Sequence, residues 1–177
     1  SSRSMGSSQS SPGGGGSKWQ SGLRYYDGSN TYCRDGSDLL RYFREQLRAE
    51  EEIILQAEIY ECDLSIVGVF GHVHKIVIVE TTNWWWTVEK NDRGLIMQRS
   101  KQKDNVRCYL AGYERDGMEW PRRKKGRCVS YGESLQKLIQ WIYSNETHVR
   151  YGVVDDNCKA FADRCYEAIT YTNGRSL

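Results

Sequence analysis

No apolar run in the 177 residues approaches the ~20 needed to cross a bilayer as a helix. A surplus of one charge is also missing. The 25 basic and 23 acidic residues leave a formal +2, which argues against a nucleic-acid-binding protein and against a strongly acidic partner for the chain as a whole. No Cys-x-x-Cys pair occurs, so the usual signature of a structural zinc is absent. Nothing else in the sequence calls for a metal or a cofactor. No secretory leader is visible and no internal repeat is evident. Aliphatic residues are scarce, with hydrophobic residues at 38%. The 6 Trp and 12 Tyr make up for this, because large rings fill a core with fewer residues.

The length suits one domain with a core of its own. Residues 1–17 are Ser/Gly-rich and end in four glycines, so they read as a flexible tail. Residues 18–177 read as a single α+β domain. Residues 18–36 are polar and aromatic, with turn signals at Asp27-Gly28 and Asp35-Gly36. Ser37 or Asp38 can cap a helix to about Ala49, with Leu39, Leu40, Phe43 and Leu47 on one face. Strand-like runs follow at 53–60, 76–80 and 84–89. Thr81-Thr82-Asn83 joins the last two into a hairpin, and Leu95-Ile96-Met97 starts another strand. Residues 106–113 read as a strand and 121–127 as a basic loop. Residues 131–144 form an amphipathic helix with Leu135, Leu138, Ile139 and Ile142 buried. Residues 149–154 read as a short strand or link, and 158–170 as a final helix. A helix, several strands and two helices predict a small antiparallel sheet packed with helices.

Six cysteines stand at 33, 62, 108, 128, 158 and 165. They allow two readings. One is a secreted domain held by three disulfides, with 15 possible pairings; the sequon Asn145-Glu146-Thr147 belongs with it. The other is a set of reduced thiols. A cysteine nucleophile requires the second, which carries the expectation of a cytoplasmic location.

Asn157-Cys158-Lys159-Ala160-Phe161 is the stretch richest in chemistry. A cysteine in the first turn of a helix faces the positive end of the helix dipole, which favours thiolate over thiol. Its structural alternative is a half-cystine or a buried thiol. Cys165 lies seven residues further along the same helix and reads as core or as a disulfide partner. Upstream, Gly71-His72-Val73-His74 opens an apolar strand ending at Glu80. A histidine there is either a polar cap on the strand or the base of a cysteine–histidine pair. His148 reads as a surface loop residue.

The pattern His74-Lys-Ile-Val-Ile-Val-Glu80, a hairpin, and then Asn157-Cys158-x-x-Phe161 resembles the permuted NlpC-type papain-like superfamily. That group includes the lecithin:retinol acyltransferase-like enzymes, and the resemblance covers roughly residues 70–170. It implies a papain-like fold in which Cys158 is the nucleophile and His74, with His72 as the other candidate, is the base. It also implies an acyl-enzyme thioester formed on an amide, ester or isopeptide bond. Acyltransferase-like members carry a second histidine on the next strand. Residues 83–89 here hold none, leaving Thr87 or Glu89 to orient His74.

Three further readings stand beside this one. A related thiol peptidase or isopeptidase has the same broad fold. A degenerate, non-catalytic module would bind a protein or an anionic partner. A disulfide-stabilised secreted domain would have Cys158 oxidised. Trp84-Trp85-Trp86 reads either as an exposed aromatic platform for a lipid, peptide or sugar, or as a thin sheet buried on both sides. The loop Arg122, Arg123, Lys124, Lys125 can dock an anionic surface or lie solvated, and Glu114, Asp116 and Glu119 partly offset it.

Overall fold

Ile54–Asp63, Val73–Thr81 and Trp85–Asn91, the last two buried over four and five consecutive residues, build the centre of a sheet. The structure is a computed structural model, and it describes residues 22–34, 36–63, 73–115, 121–129, 132–150, 152 and 157–171. In chain order the elements are β1 (Leu23–Tyr26), β2 (Thr31–Arg34), α1 (Gly36–Glu45), β3 (Ile54–Asp63), β4 (Val73–Thr81), β5 (Trp85–Asn91) and β6 (Gly94–Ser100). Then come α2 (Lys103–Cys108), β7 (Tyr109–Leu110), β8 (Tyr113–Glu114), β9 (Arg122–Cys128), α3 (Leu135–Asn145) and α4 (Cys158–Thr170).

The protein is α+β, as expected, but its sheet is larger than expected. Seven strands run in the order β2-β1-β6-β5-β4-β3-β9. All neighbours are antiparallel except β1 and β6, which are parallel. The predicted hairpin is present: Thr81 N–H donates to Trp84 O (2.9 Å), closing the 81–84 turn between β4 and β5.

Period-2 alternation gives the sheet two buried faces. One face carries Ala57, Ile59, Val77, Val79, Trp86, Val88 and Met97, packed with Leu39, Phe43, Leu138, Ile139, Ile142, Phe161 and Ile169 from α1, α3 and α4. The other carries Tyr60, Ile76 and Ile78, covered by Val106 of α2 with Trp85 alongside. Helices α3 and α4 are also cross-linked. Arg164 Nε and Nη2 donate to the two oxygens of Glu146 (2.8 and 2.7 Å), a carboxylate that is itself buried.

Two expectations are corrected. Residues 106–113 do not form one strand. Residues 103–108 coil into α2, where Asp104 and Arg107 pair at i, i+3 (2.9 Å) and Val106 turns into the core. Only the two-residue strands β7 and β8 follow. Residues 121–127 are not a loop. Arg122–Cys128 is β9, the outer strand beside β3, and all seven residues are exposed. Long cationic side chains suit such an edge, because their charge repels a second open edge. Strands β1 and β2 also arise within a stretch that carried only turn signals. Half of the expected link at 149–154 lies outside the described residues, as do His72 and Tyr131.

Phe161 tests the α4 contact. It is fully buried in the main cluster, so Phe161→Ala is expected to cost about 3–5 kcal/mol, read as a lowered urea midpoint. A loss under about 1 kcal/mol would mean that α4 does not pack as described.

Candidate functional site

Local chemistry starts α4 at Asn157. Its backbone is extended, with φ −105° and ψ −173°, and its Oδ1 accepts from Lys159 N–H (2.9 Å) and Ala160 N–H (3.3 Å). This side-chain cap satisfies two of the donors that every helix leaves unpaired. It also fixes Cys158 as the first helical residue, in the field of the dipole. The Cys158 thiol is 4% exposed and lies 3.7 Å from the carbonyl oxygen of Val73. It also hydrogen-bonds to the ring of His74, the next residue.

His74 is the second residue of β4 and is buried. Register places its partner. Ile78 sits opposite Thr87, so His74, Ile76 and Ile78 share a face with Thr87 and Glu89. Glu89, with no exposed surface, receives His74 Nε2 at 2.9 Å on its Oε2. With Nε2 committed to Glu89, Nδ1 is the nitrogen left for the thiol. Thr87, the other candidate to orient the ring, is buried on the same face, but its Oγ1 has no hydrogen-bond partner among the described residues. Glu89 therefore occupies the position that sequence left open between the two.

A fourth residue completes the cluster, and sequence reasoning missed it. Arg115 donates Nη1 to Glu89 Oε2 (3.0 Å) and Nη2 to Oε1 (2.6 Å), a bidentate pair with both partners buried. Its Nε donates to Arg107 O (2.9 Å). No sequence signal marks Arg115, which follows the short β8 in a polar stretch.

The electrostatics follow from this packing. Burial by itself would raise the Glu89 carboxyl, but the Arg115 guanidinium and the hydrogen bonds from His74 and Arg115 outweigh it and bring the pKa down to about 2. Burial would lower His74. The hydrogen bonds to Cys158 and Glu89, and the charge of Glu89, reverse this and raise its pKa to about 9. Cys165 lies in the core, where burial pushes its thiol up, away from reactivity. Cys62, Cys108, Cys128, Cys158 and Cys165 are all thiols outside any disulfide, which corrects the disulfide-framework expectation at these positions. Among the described residues no group of three or more His, Cys, Asp and Glu is placed to hold a metal ion.

The aromatic triplet is not an open platform. Trp86 is fully buried, while Trp84 and Trp85 are partly covered. Arg99 lies 4.3 Å and Lys101 3.8 Å from the Trp84 ring centre, and Lys103 lies 4.7 Å from that of Trp85. The cations of β9 are largely engaged within the fold. Arg123 pairs with Glu58, Lys124 with Glu61 (2.8 Å) and Lys125 with Asp163 (3.2 Å). His148 is exposed in the turn after α3, as expected. Among the described residues no helix is long and apolar enough to cross a membrane.

No protein-family model matches the chain, and neither the curated proteins nor the solved structures compared with it contain a match.

The two shifts set a pH dependence of stability. The lowered Glu89 pKa contributes stability fully above its ordinary 4.5, lost as pH falls through about 2. The raised His74 pKa contributes fully below its ordinary 6.5, lost as pH rises through about 9. Both act fully only between 4.5 and 6.5, so the urea midpoint is expected to peak in that window. Glu89→Gln should remove the acid limb and move the NMR titration of His74 down towards 6.5; a His74 titration that did not move would refute the coupling. Asn157→Ala is expected to cost about 1 kcal/mol through the lost cap and to slow alkylation of Cys158. Unchanged alkylation would show that the cap does not set the thiol's position.

Proposed function

We propose that the protein is a papain-like thiol hydrolase or acyltransferase of the permuted NlpC type, acting through Cys158, His74 and Glu89. The observation that carries this reading is the contact of Cys158, first residue of a capped helix, with a buried histidine whose far nitrogen is held 2.9 Å from a buried carboxylate. A nucleophile, a base and a group that orients the base are the parts such chemistry needs. The strand bearing His74 precedes the helix bearing Cys158, the order implied by the resemblance. The missing second histidine favoured a degenerate module; a carboxylate on that same next strand supports a working third group instead.

The steps follow from the geometry. His74 takes the Cys158 proton, and Sγ attacks the acyl carbon of an amide, ester or isopeptide. The oxyanion develops beside the N-terminus of α4, where the helix dipole favours negative charge. Imidazolium then gives its proton to the departing amine or alcohol as the acyl–heteroatom bond breaks, leaving a thioester on Cys158. Water or an acceptor alcohol or amine, deprotonated by His74, attacks the thioester and releases the thiol. Glu89 holds the ring in place throughout.

The test is turnover of a panel of activated esters and amides, with intact-mass detection of the acyl-enzyme. Cys158→Ala is expected to lower turnover by about three orders of magnitude or more and to abolish the mass adduct. Turnover that survived this substitution would end the assignment.

A further inference from the structure

The third member of the site is a carboxylate, and its charge has a consequence that a histidine there would not have. In the activated state Cys158 is a thiolate, His74 an imidazolium and Glu89 a carboxylate. Alone, these three sum to one negative charge in a site where Glu89 has no exposed surface and Cys158 and His74 have 4% and 8%. A net buried charge is expensive, and a protein relieves it by shifting a pKa. Here that means keeping the proton on the thiol. A neutral histidine in place of Glu89 would leave thiolate and imidazolium balanced.

We propose that Arg115 is a positioning residue that supplies the missing charge, so that a carboxylate can replace the second histidine without suppressing the thiolate. This rests on the reading of Cys158, His74 and Glu89 given above. With Arg115 the four groups sum to zero. Its bidentate grip also takes both Glu89 oxygens, with Oε2 shared with His74 Nε2.

Arg115 is held in place independently of Glu89. Its backbone N–H donates to Cys108 O (3.1 Å) and its Nε to Arg107 O (2.9 Å), both at the end of α2. Among the contacts that tie the arm formed by α2, β7 and β8 to the sheet, the amide of Gln98 of β6 makes three hydrogen bonds. Gln98 Nε2 donates to Tyr109 O (2.6 Å) and Val106 O (3.3 Å), and its Oε1 accepts from Ala111 N–H (2.9 Å). Gln98 is opposite Thr87, on the face that carries Glu89. Hydrogen bonds joined through the backbone of the arm thus run from Gln98 to Arg115, Glu89, His74 and Cys158. Cys62, paired with His74 across β3 and β4, and Cys108 of α2 also face Arg115. Both are thiols and add no charge in that form.

The test is the pH dependence of Cys158 alkylation by iodoacetamide, read by mass spectrometry, in folded protein checked by circular dichroism. In the wild type Cys158 should react faster than the other thiols below pH ~8, under the ordinary thiol pKa. If it does not, the underlying cysteine–histidine reading fails before Arg115 is in question. Given a reactive wild type, Arg115→Met is expected to move the onset of reactivity up by at least one pH unit, about a tenfold loss of rate at pH 6. Adding Glu89→Gln removes the negative charge that Arg115 balances, so Arg115→Met/Glu89→Gln should move the onset back down. A purely structural arginine predicts the opposite, with the double variant no better than the single. That result, or an onset unmoved in Arg115→Met, would overturn the proposal. If Arg115→Met does not fold, Arg115→Lys carries the test. It keeps the charge but loses the fork, so its onset should stay within about half a pH unit of wild type; a shift of a full unit or more would refute charge balance as the role.

Discussion

The buried carboxylate of Glu89 is the constraint around which the other parts of the site are arranged. A charge with no exposed surface at the centre of a sheet is tolerable only if its oxygens are filled, and Arg115 and His74 fill them. This fixes the rotamer of His74, and through it the nitrogen offered to Cys158. It also requires the α2–β8 arm to close over that face of the sheet, because only a folded arm delivers Arg115. One interaction therefore joins the sheet, the arm and the start of α4.

The parts of this arrangement that sequence exposed are the local ones. The helix over 158–170 shows in the helical spacing of Phe161, Cys165 and Ile169, whereas the Asn157 side-chain cap that starts it was seen only in the structure. His74 opens an unbroken apolar run, Ile76–Val79, of the kind that marks a strand buried on both faces. Glu89 was in view only as one of two candidates. Choosing between Glu89 and Thr87 needs the partner across the turn, and the pairing of Ile78 with Thr87 supplies only the shared face. The hydrogen bond itself decided it.

What stayed hidden depends on contacts distant in sequence. Arg115 is a lone arginine in a polar stretch, and only the folded arm brings it to a carboxylate 26 residues earlier. The run Arg122–Arg127 looked like solvated loop because charge density masked a strand whose ladder to β3 is made by backbone. Residues 103–108 contain too short a helix for periodicity to show. The Trp84–Trp86 triplet was legible as a strand, but not that Arg99, Lys101 and Lys103 cover its outward rings.

In sequence, 85 residues separate Val73 from Cys158. A chain emerging from the ribosome presents β4, β5 and the arm long before α4 exists. The histidine and its carboxylate are therefore both synthesised before Cys158 exists. The thiol reaches His74 only when α4 docks, and α4 is anchored to α3 through Arg164 and Glu146. On the function proposed above, the order of the elements makes the sulfur the last part of the site to arrive.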